Sequence, residues 1–328
     1  MRSLGRAVGP GVGIAVVTLV AAFAFRGTLS DAPGLLAVLA TVALVAGGVV
    51  LGQRVVLGMR WTHAVTLPTE PVPDGWAEIV RANFPLAGEL STEDFERLLK
   101  LVQLFLRTKR MEGVGGLEIT EEIRVTIAAQ ACFLILWLHV GLYPVLRTVL
   151  VYPSTVVPRY ARHPLRGPEP EEEASPILGQ SWRQGVVILA WDSARHGAFD
   201  PRDGRNVVFH EFAHQLDQET GDADGLPVGL RLSAVKPWAE VIERRFGELA
   251  RAERRGQETV MDPYGATNHA EFFAVATEAF FEKPRELRDK KPDLYDLLSD
   301  FYGVDPARGL ARTRPAPTPD ERHEGAPR

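Results

Sequence analysis

The stretch "VVFHEFAHQLD", Val207 to Asp217, decides how the rest of this chain is read. Residues four apart share one face of a helix, so His210 and His214 can turn imidazole nitrogens toward a single metal ion. Glu211 follows the first histidine directly, placed for its carboxylate to reach a water at that ion rather than the ion itself. Zinc favours such nitrogen ligands, and a catalytic zinc site keeps one position open for water. Val207, Val208, Phe209, Phe212 and Ala213 surround the polar residues, the pattern of a buried helix whose polar edge faces a cleft. An ordinary core helix is the alternative, but two histidines and an acid buried without a task would cost desolvation energy.

A catalytic site of this kind needs a third protein ligand. Thr220 stands where a metzincin would carry it, and Asp217 stands in place of that group's glycine, so the metzincin arrangement is excluded. Asp217 shares the histidine face one turn on and suits support of a ligand imidazole from behind. Asp222 and Asp224, in "GDADG", are near in sequence but lie in a turn, where acids and glycines are common anyway. The better source is "DPYGATNHAEFFAVATEAFFEKP", which reads as a turn followed by a helix rich in phenylalanine and alanine. Glu271 falls in the first turn of that helix and is the preferred ligand, a glutamate arriving from a second helix as in gluzincins. Glu278 lies on the same face two turns later. His269 is the runner-up ligand, with a solvent-facing cap-region histidine as its plainer reading.

With 328 residues and 45% hydrophobic content, the chain can bury a sizeable core. A formal charge of -5 offers no basic surplus for a phosphate backbone, so a nucleic-acid partner is not expected. The one cysteine, Cys132 in "AAQACFLIL", can form no internal disulfide and reads as a buried apolar thiol.

Two uncharged apolar runs, Val8 to Phe25 and Pro33 to Gly52, each approach the length a helix needs to cross roughly 30 Å of hydrocarbon. With the polar turn "RGTLSDA" between them they predict a transmembrane helical hairpin within residues 1–60; a cleaved signal peptide is the competing reading of the first run. Arg2, Arg6, Arg54 and Arg60 flank the hairpin and only Arg26 sits in its turn, which predicts a cell-membrane location with the catalytic domain on the cytoplasmic side. A third apolar run, Val125 to Val151, is interrupted by Gln130, His139, Pro144 and Arg147. It therefore reads as a helix buried in the folded domain and then a strand near "TVLVYP", with His139 a core histidine.

Residues 61–89 read as a linker, with proline-rich "LPTEPVPDGW" at its heart. "LSTEDFERLLKLVQLFLRTKRMEG", from Leu90, predicts an amphipathic helix capped at Ser91 or Thr92, with Phe95, Leu98, Leu99, Val102 and Leu106 facing the core. The acidic loop "RHPLRGPEPEEEASP" reads as solvated. "GQSWRQGVVILAWD" reads as a hairpin with a strand at Val186 to Trp191, and "SARHGAFDPRDGRN" as turns. Residues 307–328 have almost nothing to bury and are expected to be a disordered tail, in which His323 has no metal role.

"HEFAHQLD" with "GDADGLP", then "YGATNHAEFFAVATEAFFEKP" and "DLLSDFYGVDP", resemble the zinc-dependent peptidases of the Mlc titration factor A family. The likeness extends through "GQSWRQGVVIL", "VLVYP" and the helix after Leu90, so it covers about 90–306. It implies a gluzincin-like α+β metallopeptidase domain, Zn2+ held by His210, His214 and Glu271, Glu211 as catalytic base, and assistance from Tyr264. A tyrosine hydroxyl there could donate a hydrogen bond to the oxyanion of a tetrahedral intermediate. The expected function is a membrane-tethered zinc metallopeptidase acting on a peptide or protein substrate. The alternative is a zinc-containing binding protein that sequesters a transcriptional regulator at the membrane.

Overall fold

A computed structural model of the chain describes residues 65–138, 140–154, 185–218, 225–230 and 232–313, all within the second of two units into which the chain divides, Arg60–Arg328. The order is α1 (Trp76–Asn83), α2 (Thr92–Thr108), β1 (Arg110–Gly113), α3 (Glu121–Leu134), β2 (Thr148–Tyr152), β3 (Val186–Ala190), α4 (Trp191–Phe199), α5 (Val207–Gln218), α6 (Leu232–Arg254), α7 (His269–Glu282), α8 (Pro284–Lys290), α9 (Pro292–Tyr302), β4 (Val304–Asp305) and β5 (Ala311–Arg312). The architecture is helix-rich α+β, as expected. Its main sheet is small and wholly parallel in the order β1-β2-β3, with Met111 opposite Val149 and Val149 opposite Val187.

Local sequence explains most of these elements. Ser91 accepts a hydrogen bond from Asp94 N at 3.1 Å and starts α2, whose Phe95, Leu98, Leu99 and Val102 are buried. Thr120 caps α3 in the same way, accepting from Ile123 N at 3.2 Å. Alternation in β2 and β3 sends Val149, Val151, Val187 and Leu189 inward. Gly185, just before β3, adopts φ 74°, and a Cβ there would stand 2.4 Å from Val145 O, so only glycine fits the turn.

The core gathers where α3, α5 and α7 meet. Phe133 stacks on Phe209 with ring centroids 5.9 Å apart, and Phe281 closes the triangle at 5.4 Å from each. Such pairs add about 0.5–1.5 kcal/mol each beyond the area they bury. They also fix the separation of α5 and α7, the two helices that carry the candidate ligands.

Several expectations need correction. The predicted cell-membrane location is overturned: among the described residues no helix is long and apolar enough to cross a membrane. The apolar helices α3 and α7 have 14 residues each where about 20 are needed, and the 23-residue α6 is studded with charges such as Lys236, Glu240, Arg244 and Arg245. The two N-terminal apolar runs with their hairpin, the acidic loop, His139 and His323 lie outside the described residues. The third apolar run forms α3 and β2 within the core, as its polar interruptions predict.

The proline-rich stretch before Trp76 lies along α2 rather than hanging free: Gln103 Nε2 donates to Pro71 O at 2.9 Å and Arg107 pairs with Glu70 at 3.0 Å. α1 then buries Trp76 and Val80, so folded structure begins well before Leu90. At the other end, Ala307 and Leu310 are buried, β5 pairs with β4, and Arg312 forms an ion pair with Asp94 of α2, where a tail from Ala307 was expected. β3 runs parallel to β2, so its partner is no hairpin neighbour, and the strand stops at Ala190. The supposed turns after it include the helix α4, which uses its small residues Ala194, Gly197 and Ala198 as a buried face.

Candidate metal centre

α5 begins at Asn206, which is 1% exposed. Its Oδ1 accepts from Phe209 N at 3.0 Å, its carbonyl accepts from His210 N at 2.9 Å, and its Nδ2 donates to Gly197 O of α4. α7 begins at Asn268, whose Oδ1 accepts from Glu271 N at 2.9 Å. His210 and Glu271 are therefore each set within about one turn of a capped helix start, and His214 follows one turn after His210.

The two helices bring His210, His214 and Glu271 together, with one ligand atom from each lying within 4.8 Å of the others. Glu271 Oε2 is 3.0 Å from His210 Nε2 and 3.2 Å from His214 Nε2, and the two Nε2 atoms are 3.1 Å apart. His214 and Glu271 are buried and His210 is half-buried. Two imidazole nitrogens and one carboxylate oxygen at one point can bind a metal ion, and they match the donor set of a three-ligand site with an open position.

Electrostatics holds these groups in opposite states. Burial opposes charge on His210, but hydrogen bonds to Glu271 and Glu278 outweigh it and lift the imidazole to about 10. His214 moves the other way, lowered by burial and by the charge of His210 despite its bond to Glu271. Glu271 is raised by burial, yet the two histidines hold it down to about 2.

Glu211 and Tyr264 line the same cleft as His210 and Glu271, a space of about 830 Å³. Glu211 is 6% exposed, while Tyr264 is 49% exposed with its ring centroid 6.2 Å from that of His210. Tyr264 comes from a 3-10 turn, Pro263–Ala266, that Asp262 caps by accepting from Tyr264 N at 2.9 Å. Arg205 reaches Asp262 at 3.0 Å, tying this turn to the segment that leads into α5. Asp192, Ser193 and His196 of α4 also line the cleft.

The other sequence candidates fall elsewhere. His269 bonds Glu243 at 2.9 Å with its ring on Phe246, and is not part of the ligand group. Asp217 is buried and accepts from Gly225 N at 3.1 Å, holding the chain after α5. Asp222, Asp224 and Thr220 lie outside the described residues. His210 is supported by Glu278, whose Oε1 stands 2.8 Å from its Nδ1. In the neutral tautomer that a metal would require, an Nδ1 proton directed at Glu278 would leave the Nε2 lone pair facing the centre. The only signal for it in the sequence was the two-turn spacing from Glu271.

A family model described as glucose-regulated metallo-peptidase M90 matches residues 59–303. This chain belongs to that family. An uncharacterized protein of Synechocystis sp. is 40% identical over 237 residues, 72% of this chain and 86% of that protein. Mlc titration factor A of Escherichia fergusonii is 32% identical over 246 residues, 72% of this chain and 88% of its own length. Mlc titration factor A of Pectobacterium atrosepticum is 29% identical over 266 residues, covering 77% and 94%. These matches bear out the resemblance to the Mlc titration factor A proteins, and membership of the M90 metallo-peptidases gives the His-His-Glu group its context as a metal centre.

Proposed function

We propose that this chain is a zinc-dependent peptidase that hydrolyses peptide bonds, with His210, His214 and Glu271 as ligands, Glu211 as general base and Tyr264 as an oxyanion donor. The observation that carries the reading is the meeting of the three ligand atoms within 4.8 Å, with His210 and Glu271 on the wall of a cleft that Glu211 and Tyr264 also line. A bound Zn2+ would supply a Lewis acid for the scissile carbonyl and make water a better acid. Glu211 takes the proton of the attacking water and passes it to the leaving amine nitrogen. The Tyr264 hydroxyl, on the exposed lip, donates a hydrogen bond to the oxyanion that forms as the carbonyl is attacked. Glu278 and Glu271 hold the imidazole of His210 from either side. Among the described residues β3 is a sheet edge that leads straight into Asp192 and Ser193 of the cleft, so an extended peptide can pair along it and enter.

The experiment is hydrolysis of a peptide library by the full chain, comparing wild type with Glu211→Gln at matched zinc content. The expected outcome is cleavage by wild type and a loss of at least about 100-fold in the variant, with zinc retained. Equal cleavage by both would remove Glu211 from the mechanism. The name Mlc titration factor A, carried by two of the relatives above, is compatible with a second reading, in which the chain sequesters a transcriptional regulator. Glu211→Gln would then leave capture of the regulator intact while both proteins are inert toward peptides.

A further inference from the structure

α7 carries a second buried carboxylate pair that the proposed chemistry does not use in full. Glu278 and Glu282 stand one turn apart, 6% and 4% exposed, and both face the segment leading into α5. Glu278 Oε2 accepts from Asn206 N at 2.6 Å and Glu282 Oε2 accepts from Arg205 N at 2.9 Å. Two consecutive backbone amides are thus each gripped by a glutamate from the other helix. Asn206 is also the cap of α5 and the acceptor of His210 N.

We propose that Glu282 is a positioning residue for His210: acting beside Glu278, it clamps the Arg205–Asn206 backbone and so fixes the start of the ligand helix. The inference rests on the metal-centre reading given above.

Plain packing does not explain an acid here. Glu282 Oε1 is buried with no hydrogen-bond partner among the described residues, and a carboxylate so placed is costly. Like charges one turn apart on a helix also repel. A neutral acid removes the buried charge and the repulsion while its Oε2 still accepts from Arg205 N. Burial, with the carboxylates of Asp203 and Glu278 beside it, pushes Glu282 up to about 9. The charged groups around the clamp are Asp203 and Arg205 of the gripped segment, Lys283 packed against Gly204, Glu278 with its partner His210, and Asp262 beyond.

The sign of the pH effect follows. Because the folded value lies above the ordinary 4.5, the folded state holds a proton that the unfolded chain gives up. The contribution of Glu282 to stability is full below about pH 4.5 and is lost as pH rises to about 9.

The test uses the full chain as wild type, Glu282→Gln and Glu282→Ala, with Zn2+ affinity measured by chelator competition and thermal midpoints of the metal-free proteins measured from pH 5 to pH 9. Gln reproduces a neutral acid, so its Zn2+ affinity should stay within about 3-fold of wild type while Ala weakens binding about 10- to 100-fold. The midpoint of Glu282→Gln should rise relative to wild type between pH 5 and pH 9, by about 4 °C or more. Unchanged Zn2+ affinity in folded Glu282→Ala overturns the proposal, as does a Gln variant that weakens binding as much as Ala. If Ala does not fold, a constant gap between the wild-type and Gln midpoints overturns it. If wild type takes up no Zn2+, the metal-centre reading fails, and the clamp stands or falls on the midpoint profile alone.

Discussion

α3 and α7 are both 14-residue helices, both buried along nearly their whole length, and both pack on α5. Their buried polar groups differ in kind. α3 hides Thr126 and Gln130, neutral groups, and Gln130 Nε2 is satisfied by Thr126 O at 3.2 Å and Ala194 O at 3.3 Å. α7 hides Glu271, Glu278 and Glu282, and each of these acids bonds across to α5 or to the segment before it. The amide nitrogen of Gln130 is settled by nearby carbonyls; its Oε1 is buried without a partner among the described residues, but the group carries no charge. A buried carboxylate needs a partner elsewhere, and three along one helix mark a face built to hold something else in place.

The sharpest way to break this contrast is to remove the first acid of α7. Glu271→Ala should lower Zn2+ affinity by more than about 100-fold, beyond the loss for a supporting residue, and abolish peptide hydrolysis. The fold should persist, because the Phe133, Phe209 and Phe281 cluster is untouched. Chelator competition and circular dichroism on one preparation decide it. Zinc uptake equal to wild type would make Glu271 an ordinary buried acid and erase the distinction between the helices.

Next in size is the matching cut on the other helix. Phe133 of α3 is fully buried and touches Phe84, just after α1, Phe209 of α5 and Phe281 of α7. Phe133→Ala should cost about 3–5 kcal/mol in urea unfolding. At temperatures where the variant stays folded, its Zn2+ affinity should remain within about 3-fold of wild type. A drop as large as that of a lost ligand would mean that the core wall, rather than the acids, sets the geometry of the centre.

What the sequence disclosed follows the reach of each signal. The cap at Ser91 and the apolar stripe of α2 are local and were legible, as was the one-face spacing of His210 and His214. Glu271 was reachable because gluzincins take a ligand from a second helix. Glu278 and Glu282 were on the page as letters, but their partners lie 68 and 77 residues away in the chain, and no periodicity records a pairing between helices. α4 was missed for a different reason: Gly197 and its small neighbours resemble turn residues until they are seen to admit the Asn206 backbone, 2.9 Å from where a Cβ would stand. The ends of the domain were misplaced because proline and charge read as solvent-loving, although Glu70 and Arg312 spend their charge on α2.

In free-energy terms the smallest effect falls to the acid that touches a proposed ligand without being one. Glu278 accepts from Asn206 N with one oxygen and holds His210 Nδ1 with the other, so a single side chain joins the start of α5 to its first ligand. Glu278→Ala should weaken Zn2+ binding about 10- to 100-fold, between the loss at Glu271 and the indifference at Phe133. Glu278→Gln separates the two bonds, since its amide oxygen can accept from Asn206 N or from the His210 N–H but cannot serve both. An intermediate loss in Gln would show that both bonds act on the ligand. If Gln matches wild type, one acceptor is enough, and the acids of α7 would then differ from Gln130 of α3 in number more than in kind.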